Sequence, residues 1–227
     1  MKKFYPVIHV LDKNQTFRNV DIAIIAEADG IFLISHGSLN YKELLILGKE
    51  IKDKYPDLWI GFNFLDISVN DFFTFFNSYP NYLNSFCDAV WFDNSYRGVN
   101  DKEADIITSL WKESSFKGEL FGGVAFKYVK QPGSLVEAVK SSIGNMSVIT
   151  TSGDGTGQAA RPYKIKVMSE AIPDNTPLAI ASGIDADNIE NYLQYIDIFL
   201  ISTGISIDHS NLDLDKTIQI SKIIHKF

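Results

Sequence analysis

Residues 148–158 read VITTSGDGTGQ, residues 179–184 read AIASGI and residues 199–205 read FLISTGI. Each is a short apolar run that stops abruptly in Ser, Thr and Gly. A run apolar on both faces has the pattern of a buried parallel strand. Its small-residue end is a turn whose main-chain N–H groups can be approached closely. Three such ends in succession, with helical segments between, predict the last part of a (βα)8 barrel that carries a phosphate cup.

Working outward, apolar runs predict strands at 4–10, 30–35, 59–64, 89–93, 120–126, 147–152, 177–182 and 198–203. Helical spacing fills the intervals: 14–28, 41–55, 70–86 with a break near Pro80, 102–113, 132–143, 162–172, 185–195 and 214–227. In the first helix the expected inward face is Val20, Ile22, Ile24 and Ile25; in the fourth it is Ile106, Ile107, Leu110 and Trp111. Pro132 and Pro162 suit first helical turns. Strict alternation of strand and helix implies an α/β fold, a parallel sheet with helices outside. A doubly wound open sheet is the alternative. So many strands without an antiparallel edge favour closure, as a single (βα)8 TIM barrel domain over residues 1–227 with no linker.

The chain has 227 residues, enough for such a barrel, and 45% apolar content, ordinary for a globular protein. No apolar run is long enough for a transmembrane helix, and the start MKKFYPVIHV reads as a strand, not a signal peptide. The single cysteine, Cys87, excludes an intrachain disulfide and fits a reducing cytoplasm. It precedes the fourth strand, on the wrong rim for a nucleophile. A net charge of −7 argues against a nucleic-acid partner, though not against a small anionic ligand.

In a barrel the chemistry sits where the strands end. That topology selects His9, His36, Asn63, Asp93, Asn94, Arg97, Lys127, Asp154 and Thr156. Asp93 directly follows AVWF and is the best-placed carboxylate for acid–base work, unless it pairs with Arg97 or Lys127. Asp154 is a second acid–base candidate, or caps its own turn. His36, in Ser-His-Gly, is a third. His9 is as readily a core histidine as a catalytic one, and His209 and His225 look peripheral. Ser182, Gly183, Ser202, Thr203 and Gly204 form the phosphate cup, or simply tight turns, with Asp185 and Asp187 opposing an anion if they point inward. The 152–158 loop is neither a Walker A loop nor a dinucleotide fingerprint. No HExxH, HxH or cysteine cluster marks a zinc site, so neither a cofactor nor a metal is expected. A divalent cation on Asp93 and a substrate phosphate has only weak support. Exposed apolar helices leave room for a homo-oligomer.

From strand 6 to strand 8 the chain resembles the BtpA/SgcQ family, through Gly153, Thr156, Gly157, Pro177, Ser182, Gly183, Asn188, Asp197 and Gly204, with WIGFNFLD around Asn63 as a further match. The likeness is good in the last third and loose over two-thirds. Ser-Thr-Gly at 202–204 departs from the family's usual Gly-Thr. The resemblance implies a barrel of the ribulose-phosphate-binding kind, in a family whose founding member is linked to photosystem I biogenesis. A weaker echo, at 154–157, 182–188 and 202–205, is of phosphoribosylanthranilate isomerase. That enzyme's strand 1 cysteine and strand 6 aspartate are absent here: strand 1 is VIHV and strand 6 ends in Thr150-Thr151. The expected function is therefore an enzyme acting on a small phosphorylated sugar or nucleotide-like metabolite, by isomerase, lyase or hydrolase chemistry. The alternative is a non-catalytic barrel serving as an assembly or binding factor.

Overall fold

Residue parity along the strands decides what fills the centre of this molecule. The computed structural model describes residues 1–173 and 175–227. Its strands are β1 (Lys3–Val10), β2 (Ile31–Ser35), β3 (Ile60–Asn63), β4 (Ala89–Phe92), β5 (Glu119–Gly123), β6 (Val148–Ser152), β7 (Leu178–Ala181) and β8 (Ile198–Ile201). All eight pair in parallel, in chain order, and close into a barrel through β1 and β8, with Tyr5 opposite Leu200. Alternate side chains form an inner cluster that includes Tyr5, Val7, Phe32, Ile34, Trp91 and Phe121. The others, such as Phe4, Ile8, Leu33 and Phe199, face the helices in a separate cluster. Both faces of each strand are thus buried, and this is why the strands read as continuous apolar runs.

The inner plug is aromatic. Tyr5 stacks on Trp59 at 4.4 Å, and Phe32 meets Trp91 edge-on at 5.7 Å and Phe121 at 5.0 Å. It fills the bore up to Trp91 and Leu200, above which a cavity opens at the C-terminal end.

Outside lie α1 (Lys13–Ile25), α2 (Tyr41–Lys54), α3 (Val69–Ser78), α4 (Pro80–Leu83), α5 (Asp101–Glu113), α6 (Leu135–Ser142), α7 (Pro162–Ala171) and α8 (Leu214–His225). Side-chain caps start most of them. Asn40 and Glu43 close a reciprocal box on α2, and Asp12, Ser68, Asn100, Ser134 and Asp213 each accept an N–H from the first turn of their helix.

Four sequence expectations need correction. The 185–195 segment is not a helix. The Asp185 carboxylate takes the N–H groups of Asp187 and Asn188 at 3.0 and 3.1 Å, and Asn188 Nδ2 donates to Gly183 O at 2.8 Å. These local bonds compete with helix formation and leave only a 3₁₀ turn at Ile189–Asn191. Pro132 lies before α6 rather than in its first turn, because Ser134 caps that helix from two residues further on. In α5, Ile106 is exposed while Ala104, Ile107 and Thr108 are buried. In α1, Ile24 and Ile25 are exposed, and the buried face is Gln15, Thr16, Asn19, Val20 and Ala23. The polar members of that face have a specific task, at the loop after β8.

Candidate functional site

The inward parity continues past the aromatic plug. Two residues beyond Val7, Ile34, Trp91 and Leu200 stand His9, His36, Asp93 and Ser202; Asn63 ends β3 in the same phase. These five, with Lys127, Thr156, Ser182, Thr203 and His209, line one cavity of about 450 Å³ at the C-terminal mouth. Trp91 and Phe126 contribute to its walls.

Asp93 and Asn63 form its polar floor. Asn63 Nδ2 donates to Asp93 Oδ1 at 3.0 Å. Burial pushes the Asp93 carboxyl above the usual carboxylate range, against the Asn63 hydrogen bond and the nearby Lys127 and His36 charges. Burial likewise lowers the Lys127 ammonium, opposed by Asp93. A carboxyl held up and an amine held down are the two ways a site brings acid–base groups toward neutrality. Two buried atoms here lack partners among the described residues: Asn63 Oδ1, an acceptor, and Trp91 Nε1, a donor. Both residues line the cavity, so a polar ligand would find an unmet group of each kind.

Three histidines gather at the ends of β1 and β2 and in the loop after β8. Ring centroids lie 4.9 Å apart for His9 and His36, 4.4 Å for His9 and His209, and 5.4 Å for His36 and His209. His9 Nδ1 is 3.2 Å from His209 Nε2. Burial first, then the neighbouring His36, His209 and Lys127, hold His9 down at about 3, so it is neutral at physiological pH. His36 is lowered for similar reasons.

His209 is not peripheral. Its loop turns back over the mouth: Ser206 bridges Leu212, and Asp208 accepts the N–H groups of Ser210 and Asn211, each at 2.9 Å. From α1, Gln15 and Asn19 both donate to Ser210 O, the latter at 2.7 Å, and Asn19 Oδ1 accepts Leu212 N–H at 3.1 Å. That clasp explains the polar face of α1. The Asp-His-Ser-Asn turn and the misplaced Gln15 and Asn19 were the signals in the sequence that could have revealed it.

At the cup, Ser202, Thr203 and Ser182 line the cavity. Ser182 sits at φ 73 and its hydroxyl is already engaged, accepting from Gly157 N at 3.0 Å and donating to Gly155 O at 3.1 Å. It staples the 153–158 loop to the end of β7. Gly183 and Gly204 serve close packing: a Cβ on the first would overlap the backbone of Gln158 and Ala159, and one on the second Ile184 O. Among the described residues, the N–H groups of Gly183, Thr203 and Gly204 make no hydrogen bond within the chain. Of the five non-glycine residues with positive φ among the described residues, Tyr96, Ala125, Tyr128 and Ser182 follow strand ends at this rim, and the fifth, Glu27, follows α1. Such conformations cost about 1–3 kcal/mol each and gather where a site is held in shape.

Three candidates lie elsewhere. The Asp154 carboxylate is exposed, 3.9 Å from Arg161 Nη2, in a separate shallow pocket. Asn94 Oδ1 accepts Tyr96 N–H at 2.9 Å and caps its own turn. Arg97 is 6% exposed and turned away from the mouth; it bonds Asp105 at 2.7 Å, Ala104 O at 3.1 Å and Thr108 Oγ1 at 2.6 Å. Lys164, not singled out in the sequence, bridges Ala125 O and Ser152 O at 2.6 and 2.7 Å, and burial lowers it to about 8. It ties together the loops after β5 and β6.

Arg97 supplies a clean contrast with the mouth residues. Arg97→Ala is expected to lower stability by about 3 kcal/mol, since three charge-assisted bonds and a packed side chain are lost. Ligand affinity of the folded variant should be unchanged. Urea unfolding and a binding titration check the two halves, and a folded variant that has lost its ligand would return Arg97 to the site.

No family model matches the chain. An uncharacterised protein of Methanocaldococcus jannaschii is 25% identical over 137 residues, covering 57% of this chain and 51% of that protein. The chain thus spans about half the length of the curated relative it matches. Among solved structures, the orotidine 5′-phosphate decarboxylase of Pyrococcus horikoshii superposes with a TM-score of 0.66 at 10% identity, covering 98% of this chain and 99% of that one. The phosphoribosyl anthranilate isomerase of Thermus thermophilus gives 0.64 at 10% identity, covering 99% and 98%. At such identities the likeness is one of fold: this chain is a (βα)8 TIM barrel.

Proposed function

We propose that the chain is an enzyme of a small phosphorylated sugar or nucleotide-like metabolite, working by isomerase, lyase or hydrolase chemistry at the mouth of the barrel. One observation carries the reading. A single cavity is lined by Ser182 at the end of β7, by Ser202 and Thr203 at the end of β8, and by the buried Asp93–Asn63 pair with Lys127, while Gly183 and Gly204 adjoin that lining in sequence without being part of it. The first group suits a phosphate, which needs several convergent donors and little else. The second suits proton transfer on the part of the ligand that reaches the floor. In this reading Gly183, Thr203 and Gly204 offer N–H groups, and Ser202 and Thr203 add hydroxyls. Ser182 holds the adjoining loop. Asp93 is the acid–base group, with His36 and Lys127 facing it. Both solved neighbours are, by name, enzymes of phosphate-bearing metabolites, which agrees with the proposal. Membership of the BtpA/SgcQ group is part of the same proposal and rests on the motif residues alone.

A non-catalytic barrel would be expected to have its candidate groups pointing apart or its mouth filled by aromatic rings. Here Asp93 and His36 share an open cavity, and the aromatic plug stops below them. That favours catalysis, although Asp154 stands outside.

A thermal-shift panel of sugar phosphates against the same sugars without phosphate tests the cup. A ligand at 100 times its dissociation constant adds about 2.7 kcal/mol of stability. Ser202→Ala and Thr203→Val should each weaken the best phosphorylated ligand by about 0.5–1.5 kcal/mol. Equal shifts by the dephosphorylated sugars would refute the cup.

A further inference from the structure

We propose that His9, His36 and His209 form a binding site for a divalent transition-metal ion, with Zn²⁺ as the reference ion. The inference goes beyond the phosphate cup and does not depend on it.

The geometry is the first support. One ring nitrogen from each of the three histidines can be chosen so that all lie within 4.8 Å of one another. A tetrahedral ion with bonds of about 2.0–2.1 Å would draw such nitrogens together by small side-chain rotations. Two ligands come from the barrel itself, from the ends of β1 and β2, which are paired strands: His9 sits opposite Ile34, two residues before His36. The third closes the triangle from the loop after β8, which borders β1 on its other side.

The second support is how His209 is held. It lies on an exposed loop, where a side chain ordinarily wanders. This loop instead carries an internal bridge, an aspartate-capped turn, and the clasp from Gln15 and Asn19, which are 1% and 2% exposed. Burying two amides on a helix face that would otherwise pack apolar groups is costly unless they are bonded. Their bonds fix the backbone just after His209, at Ser210 O and Leu212 N. A third support is chemical. Three imidazoles face one another with no carboxylate hydrogen-bonded to any of them among the described residues; the short nitrogen contact is between His9 and His209, and the His36 ring packs beside both. A cation shared between them supplies what the cluster lacks.

The donor set defines the ion. Three imidazole ligands without thiolate or carboxylate suit Zn²⁺, Fe²⁺, Ni²⁺ or Cu²⁺ rather than Mg²⁺ or Ca²⁺. Three protein ligands leave at least one position open, the arrangement of catalytic rather than structural zinc. The open side faces the cavity that also contains Asp93 and Lys127. An ion there would accept a water or a ligand oxygen as its remaining partner.

The full chain, stripped with chelator and dialysed, is titrated with Zn²⁺ by calorimetry and with Co²⁺ by absorption, without any phosphate present. One equivalent is expected to bind, and Co²⁺ should develop the intense visible bands of a low-coordinate site. His209→Ala changes an exposed side chain, so the fold should survive, as circular dichroism will check. It should weaken binding by more than the roughly 10–100-fold that loss of an outer partner costs. His225→Ala, at the opposite end of the barrel where the ring bonds Asp29, should leave binding intact. Absence of stoichiometric binding to the wild-type chain, undiminished binding in His209→Ala, or equal loss in His225→Ala would each overturn the site. Failure of the sugar-phosphate panel would leave this result untouched.

Discussion

Phe32→Ala is expected to lower the free energy of unfolding by about 3–5 kcal/mol, the cost of emptying a fully packed aromatic position. Phe32 is completely buried at the centre of the bore, where Tyr5, Trp59, Trp91 and Phe121 all meet its ring. No backbone there can move inward to refill the space without breaking the barrel ladders. The same ring explains Gly61 across the β2–β3 pair, where a Cβ would overlap it. Gly61→Ala should therefore cost about 1–3 kcal/mol by overpacking. In a Phe32→Leu background the same change should cost less, with a coupling of about 0.5–3 kcal/mol. Urea unfolding of the four chains measures the cycle. A loss below about 1 kcal/mol for Phe32→Ala would mean that the plug is not what holds the ring open.

Asp93→Asn is expected to reduce turnover of the natural substrate by about 10²–10⁴-fold while leaving its affinity nearly unchanged. The amide keeps an acceptor for Asn63 Nδ2 but cannot exchange a proton. Stability should move the other way. Because burial raises the folded carboxyl above its unfolded value of about 3.9, the ionised side chain opposes folding at neutral pH. Its favourable contribution is complete below the unfolded value and is lost as pH rises through the folded one. Asp93→Asn should thus be more stable than the wild type at neutral pH, and the advantage should vanish in acid. Unfolding at about pH 3 and about pH 7 tests the sign. A variant destabilised at neutral pH would make Asp93 a structural residue.

The barrel was legible because its strands are buried on both faces and its turns are marked by Gly and Ser. The site was legible only where parity decides it. His9, Asn63 and Asp93 continue an inward phase already set by the apolar residues before them. Asn94 is one residue out of phase, and Arg97 follows a turn whose Tyr96 has φ 60, which sends it to α5. A list of polar residues after strands cannot separate these. His209 was missed for another reason. Its partner His9 is 200 positions away, and no local spacing encodes a contact of that range. Nor does helical periodicity reveal that 185–195 prefers side-chain turns.

The clasp from Gln15 and Asn19 to the 206–212 loop spans the seam where the first strand meets the last. A ring of strands can unzip only at some such join, and here the join is locked from outside by amides of the first helix. The mouth therefore exists only in the closed ring. A fragment ending before residue 206 would retain seven of the rim's connections and still lack the piece that completes its histidine side. Hydrogen exchange at Leu212 N–H, bonded to Asn19, would report opening of that join directly.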